Sequence, residues 1–104
     1  MDTDVFLGVW ECESPSAQLE IIEASPQAGG YAMTLFIRGS EMAHAYANPD
    51  GDTLVVNRGT IMGSYDFGGT VERTAEGIRF TVTESEFGPV RPGTSWDLVS
   101  AAVG

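Results

Sequence analysis

Three side chains that could take part in catalysis or ligand binding occupy alternate positions along one short stretch of the chain. They are Met42, His44 and Tyr46. In an extended strand this spacing places all three on the same face of a sheet. His44 is the only histidine, and an imidazole can accept or release a proton near neutral pH, which makes it a candidate general acid or base. Tyr46 and, further along, Tyr65 are candidates for polarising a substrate carbonyl. The competing interpretation of His44 is a partly exposed or hydrogen-bonded structural residue.

Methionines and aromatic residues elsewhere in the chain predict an adaptable apolar pocket wall. The predicted ligand-binding residues are Tyr31, Met33, Met42, Met62, Phe80 and Trp96. The alternative is an ordinary core without a cavity, because small barrels often fill their interior with side chains. For the three tyrosines, the alternative is core packing with a satisfied hydroxyl.

The remaining polar residues match no metal or cofactor pattern. The acidic candidates for a metal site are Asp66, Glu84, Glu86 and Asp97. Their spacing fits no ligand motif, so they are interpreted as a solvated surface, and neither a metal nor a cofactor is predicted. Cys12 is the single cysteine, and its neighbours Glu11 and Glu13 should raise the pKa of its thiol and make it unreactive.

Length and charge set the broad class. The 104 residues are predicted to form one domain, 1–104, and 42% are apolar, enough for a folded core. The formal net charge of −10 disfavours nucleic acid and anionic membrane surfaces as partners. The start of the chain has neither a basic region nor a long apolar segment, so a cytoplasmic location is the default expectation. A homodimer is compatible with these features.

Apolar alternation interrupted by glycine and proline predicts β-strands throughout. The predicted strands are Val5–Cys12, Ala17–Ala24, Tyr31–Ile37, Glu41–Asn48, Thr53–Asn57, Ile61–Phe67, Thr70–Thr74, Ile78–Ser85 and Thr94–Ser100. A corner is predicted at Arg58–Thr60, and Gly68-Gly69 is either a two-residue hairpin or a bulge. The stiff, proline-containing segment Glu86–Gly93 is expected to cover one end of the fold.

Eight or nine short strands joined by short connections predict an all-β fold and, on closure, a barrel of about eight strands. Neighbours in sequence should then pair in space, which favours a single up-and-down antiparallel β-barrel without open edges. A barrel of this size encloses either packed side chains or one small ligand.

The tripeptide Gly8-Val9-Trp10 resembles the Gly-x-Trp that opens the first strand of lipocalins and other calycins. The resemblance implies that Trp10 closes one end of the barrel, with Arg91 or Arg79 as its cover. Small barrels of this general type also occur as cofactor-free cyclases in bacterial polyketide pathways.

These observations together predict that the barrel binds a hydrophobic small molecule. One hypothesis is a cofactor-free cyclase or isomerase that holds a flexible substrate in a reactive conformer. A non-catalytic carrier would use the same pocket. The alternative from a different class is a protein-interaction module, an inhibitor or a dimer, whose filled barrel recognises its partner through the surface.

Overall fold

The computed structural model describes residues 6–13, 16–24 and 30–100, which form a closed all-β barrel. Its eight strands are β1 (Gly8–Glu13), β2 (Ser16–Glu23), β3 (Tyr31–Ile37), β4 (Ser40–Asp50), β5 (Thr53–Ile61), β6 (Tyr65–Arg73), β7 (Ile78–Ser85) and β8 (Ser95–Ser100). Each strand pairs antiparallel with the next along the chain, and β1 pairs with β8 to close the ring. The prediction of an up-and-down barrel is therefore confirmed.

Strands β3 and β7 have their predicted bounds, but the predicted strand Ile61–Phe67 is wrong. The chain reverses inside it, where Met62 and Gly63 have positive φ angles of 55° and 72° and the N–H of Ser64 donates to the carbonyl of Ile61 at 3.1 Å. Positive φ angles at both central residues define a type I′ turn, whose twist matches that of a β-hairpin. Methionine is rare at the first central position because a side chain disfavours positive φ.

The predicted corner at Arg58–Thr60 is also wrong, because these residues lie inside β5. The register of β5 shifts against both neighbours in this region. The chain therefore bends without leaving the sheet. Val5, the predicted start of the first strand, lies outside the described residues.

Gly68 and Gly69 form a bulge site rather than a hairpin. Both lie within β6, where Gly68 pairs with Glu84 and Gly69 pairs with Val82, so that Thr83 of β7 is the extra residue. A Cβ atom added at Gly69 would collide with the backbone carbonyl of Thr81, which leaves room only for glycine. The tight approach of β6 to β7 follows from this glycine.

One end of the barrel, here called the base, is filled with side chains. The base carries the β4–β5 and β6–β7 turns and the start of β1. The fully buried residues nearest to it include Phe6, Leu54, Val71, Ile78 and Leu98. This end of the interior is a packed core.

Phe6 and Trp10 close the base. The indole N–H of half-buried Trp10 donates to the backbone carbonyl of Phe6 at 2.9 Å, and Phe6 itself is fully buried. The expected arginine cover is wrong for both candidates. Arg79 lies on the outer surface, where its guanidinium donates to Asp97 at 2.7 Å, and Arg91 lies in the β7–β8 connection at the opposite end. The Asp97 carboxylate raises the pKa of Arg79 above its ordinary value.

Candidate ligand-binding cavity

The end of the barrel opposite the base, here called the mouth, contains an apolar cavity of about 240 Å³. The mouth carries the β3–β4 and β5–β6 turns and the longer β7–β8 connection, residues 86–94. The cavity lies between the inner faces of β3 to β8 and the underside of this connection. None of the lining residues that the structure describes has an ionisable side chain.

One wall of the cavity is aliphatic and comes from β3, β4 and β5. It consists of Leu35, Ile37, Met42, Ala43 and Ile61. Leu35 pairs with Ala43, and Ala43 pairs with Ile61, so these three form a row across the sheet. Met42 reaches the same side because a bulge in β4 makes it the extra residue opposite β3.

The facing wall is aromatic and comes from β6, β7 and β8. Phe80 and Trp96 are cross-strand partners whose rings stack with centroids 5.6 Å apart. The rings of Phe67 and Phe80 meet edge to face, with their centroids 6.1 Å apart. Phe67 fits because its ring lies over Gly59 of β5, where an added Cβ would be 2.6 Å from the ring. In a closed ring of eight strands, β3 and β4 lie opposite β7 and β8, so the two walls face each other.

The β7–β8 connection covers the cavity with three apolar side chains, Phe87, Pro89 and Val90. Its backbone is anchored at both ends, because the N–H of Glu86 donates to the carbonyl of Asp66 at 2.9 Å and the N–H of Gly93 donates to that of Val82 at 2.7 Å. The expectation that residues 86–93 cover one end of the barrel is confirmed.

The predicted catalytic residues His44 and Tyr46 do not face the interior. Their strand buries Ala43, Ala45 and Ala47 instead, and His44 is exposed on the outer surface. Its Nδ1 lies 3.2 Å from the hydroxyl oxygen of Thr34 on the neighbouring strand, and its ring meets the ring of Tyr46 edge to face. The expectation that these two residues line a pocket is wrong by one residue of register.

The other predicted residues are divided between the cavity, the packed core and the surface. Met42, Phe80 and Trp96 line the cavity. Tyr31 and Met33 are buried nearer the base and do not border the cavity.

Two predicted residues lie at the rim or beyond it. Tyr65 is 39% exposed, and its ring contacts Phe87 of the cover with centroids 4.9 Å apart. Met62 is 62% exposed in the β5–β6 turn, so the expectation that it lines the interior is wrong.

Several lining residues were not in the predicted set. They are Leu35, Ile37, Ala43, Ile61, Phe67, Val82, Phe87, Pro89 and Val90. Leu35 and Ile37 share the buried face of β3 with Tyr31 and Met33, so the same alternation predicts all four. The sequence also allows Phe87 and Val90 to be predicted as lining residues, since they are the large apolar residues of a segment expected to cover an open end.

The acidic residues remain on the surface. Among residues 6–13, 16–24 and 30–100, no three His, Cys, Asp or Glu side chains come close enough together to hold a metal ion. The pKa of the Cys12 thiol is raised, as expected, but burial is the main cause and Asp97 a lesser one, not the adjacent glutamates. In the same described ranges, no helix has the length and apolar character needed to cross a membrane.

Replacing His44 with alanine should leave the barrel and its cavity unchanged. The side chain is exposed, and its one hydrogen bond to Thr34 is open to water, so we expect the free energy of unfolding to change by less than about 1 kcal/mol. Urea unfolding of His44→Ala beside the unchanged protein measures this. A loss of several kcal/mol would instead give His44 a structural role that its exposure does not indicate.

The fold and the cavity together define a class: a small, closed, eight-stranded, up-and-down antiparallel barrel with an apolar cavity at one end. Comparisons of the chain with protein-family models, with curated proteins and with solved structures find no match.

Proposed function

We propose that the protein reversibly binds a small apolar molecule in the cavity at the mouth of the barrel. The observation that carries this proposal is the cavity itself: about 240 Å³ enclosed by apolar side chains in a barrel whose other end is packed solid. Side chains that line an apolar cavity lack dispersion contacts on the cavity side, and a ligand of matching shape supplies them.

The volume limits the size of the ligand. A buried apolar cavity of about 150 Å³ accepts benzene, whereas sites for drug-sized molecules begin at roughly 300 Å³. A cavity between these limits suits a compound larger than benzene and smaller than most lipids. A long acyl chain would have to extend past the cover.

Binding without turnover fits the site better than catalysis by a cyclase or isomerase. General acid–base chemistry needs a titratable group within hydrogen-bond reach of the substrate, and the described lining offers none. Tyr65 is the nearest of the three predicted catalytic residues, and its ring contacts the cover rather than lining the interior. Catalysis by this barrel would rest on confining the substrate in one conformer.

The alternative of a protein-interaction module has less support. That hypothesis expects a filled interior, and the mouth of this barrel is hollow. The largest exposed apolar side chains are Ile22, Val55, Met62, Tyr65 and Val99, which are spread over β2, β5, β6, β8 and one turn. Scattered single apolar residues are normal for a protein surface. A homodimer and a cytoplasmic location remain predictions.

The two tryptophans provide a test with an internal control. Trp96 lines the cavity, whereas Trp10 lies at the base and is hydrogen-bonded to Phe6. Benzene, indole and naphthalene, added in increasing concentration, should shift the side-chain N–H signal of Trp96 in a nitrogen–proton correlation spectrum and leave that of Trp10 in place. A Trp10→Phe variant assigns the two signals.

Saturation of the Trp96 shift at micromolar to millimolar ligand would support the proposal. An unchanged Trp96 signal with all three compounds would refute it. Equal shifts of both signals would indicate non-specific binding. Native mass spectrometry of the purified protein should then be searched for a bound molecule of the same size class.

A further inference from the structure

The two walls of the cavity differ in chemistry, and this difference bears on what the cavity binds. The rings of Phe67, Phe80 and Trp96 form a continuous surface on β6 to β8, and Phe87 adds a fourth ring from above. The opposite wall is formed by three branched aliphatic side chains, one methionine and one alanine. A flat molecule placed between the walls therefore meets aromatic rings on one side and aliphatic side chains on the other.

Charge is excluded from this space. An ion moved from water into an apolar cavity loses its solvation, and no described lining residue has an opposite charge to compensate it. The net charge of −10 adds a long-range penalty for anions approaching the mouth. A carboxylate such as a fatty acid is therefore a poor ligand, although its chain is apolar.

Hydrogen bonding is restricted in the same way. Among the lining residues, Trp96 has the only side-chain N–H, and the others are aliphatic, phenylalanine, methionine or proline. A ligand with several polar groups would leave most of them without a hydrogen-bond partner, which lowers its affinity. The lining therefore disfavours ligands with several polar groups.

We infer that the cavity selects an uncharged, flat aromatic compound of about two fused rings over saturated or anionic compounds of the same size. This inference rests on the proposed function and makes it more specific. The volume sets the size, the apolar lining excludes charge, and the aromatic wall favours a ring. Aromatic pairs gain up to about tenfold in affinity beyond the area they bury.

Three compounds that share one fused bicyclic ring system test the inference. Naphthol is aromatic and neutral, decahydronaphthol is its saturated counterpart, and naphthoate is aromatic and anionic. Affinities follow from the Trp96 N–H shift and from calorimetry on the full chain. Naphthol should bind about tenfold more tightly than decahydronaphthol and at least tenfold more tightly than naphthoate.

Two variants assign the preference to the rings. Phe87→Leu removes a ring from the cover, which lies outside the strands, and should reduce the naphthol preference several-fold. Ile37→Leu, on the aliphatic wall, is the matched control and should change the affinities for naphthol and decahydronaphthol equally. A ring preference that survives in Phe87→Leu assigns the selection to Phe67, Phe80 and Trp96, and a Trp96→Leu variant, read by calorimetry, should then reduce it.

The possible outcomes separate the inference from the proposed function. Equal binding of naphthol and decahydronaphthol at the Trp96 site would overturn the aromatic selection and leave ligand binding intact. Binding of naphthoate as tight as that of naphthol would overturn the exclusion of charge. If none of the three compounds moves the Trp96 signal, the proposed function fails and the inference with it.

Discussion

Gly69→Ala should lower the free energy of unfolding by about 3 kcal/mol or more, a large fraction of the ~5–15 kcal/mol that holds a domain folded. Gly69 is buried on the inner face of β6, and a Cβ atom there would overlap the backbone carbonyl oxygen of Thr81 on β7. A backbone atom cannot rotate away as a side chain can. The two strands must therefore separate, which breaks ladder hydrogen bonds beside the aromatic wall.

Gly68 provides a matched control at the adjacent position. A Cβ there would be 2.9 Å from Cγ and Oε1 of Glu84, an exposed side chain that can swing into solvent. Gly68→Ala should therefore change stability by no more than about 0.5–1 kcal/mol in either direction. Urea unfolding of both variants measures the difference. Equal stabilities would mean that β6 and β7 are not as close at the bulge as the structure shows.

The architecture could be predicted from the sequence because strand rhythm and turn chemistry are local properties. Short connections allow few topologies, and an up-and-down barrel is the one that leaves no edge. The mistakes fall where the local signals are misleading. The sequence Met62-Gly63 does not predict a turn, since methionine has a steric cost at the positive φ that it adopts there.

The inner face of β4 shows why the candidate site was harder to predict. Both faces of this strand are moderately apolar, and side-chain size favours Met42, His44 and Tyr46 for the interior. The structure buries the alanines instead and brings only Met42 to the cavity, through a bulge. The number of strands fixes the width of the barrel, so large aromatic residues on β7 and β8 require small residues opposite them. That constraint links distant strands and is absent from any local pattern.

The cavity depends on the same long-range balance of volumes. Met42 reaches it only through a bulge, and Phe67 only because Gly59 faces it across the β5–β6 pair. Neither feature follows from alternation along a single strand. The cover was easier to predict, because two prolines and two large apolar residues in a long connection indicate a rigid apolar segment.

Ala43→Leu should weaken ligand binding at least tenfold while leaving the barrel at least as stable as before. Ala43 is the smallest residue of the aliphatic wall, lies between Leu35 and Ile61, and is 5% exposed. A leucine there extends into the empty volume, replaces the contacts that a ligand would make, and leaves too little room for two fused rings. The apparent affinity for naphthalene, measured from the Trp96 N–H shift, should fall at least tenfold. The midpoint of urea unfolding should stay the same or rise.

Ala45→Leu is the control that distinguishes a hollow interior from a filled one. Ala45 lies two residues further along β4 on the same inner face and is 3% exposed, but it does not border the cavity. Three extra carbons in a packed core force neighbouring side chains from their preferred rotamers, at a cost of about 1–3 kcal/mol. A stable Ala43→Leu beside a destabilised Ala45→Leu would locate the empty volume at the mouth. Equal destabilisation would mean that the mouth is filled, and a naphthalene shift retained in Ala43→Leu would mean that the ligand binds elsewhere.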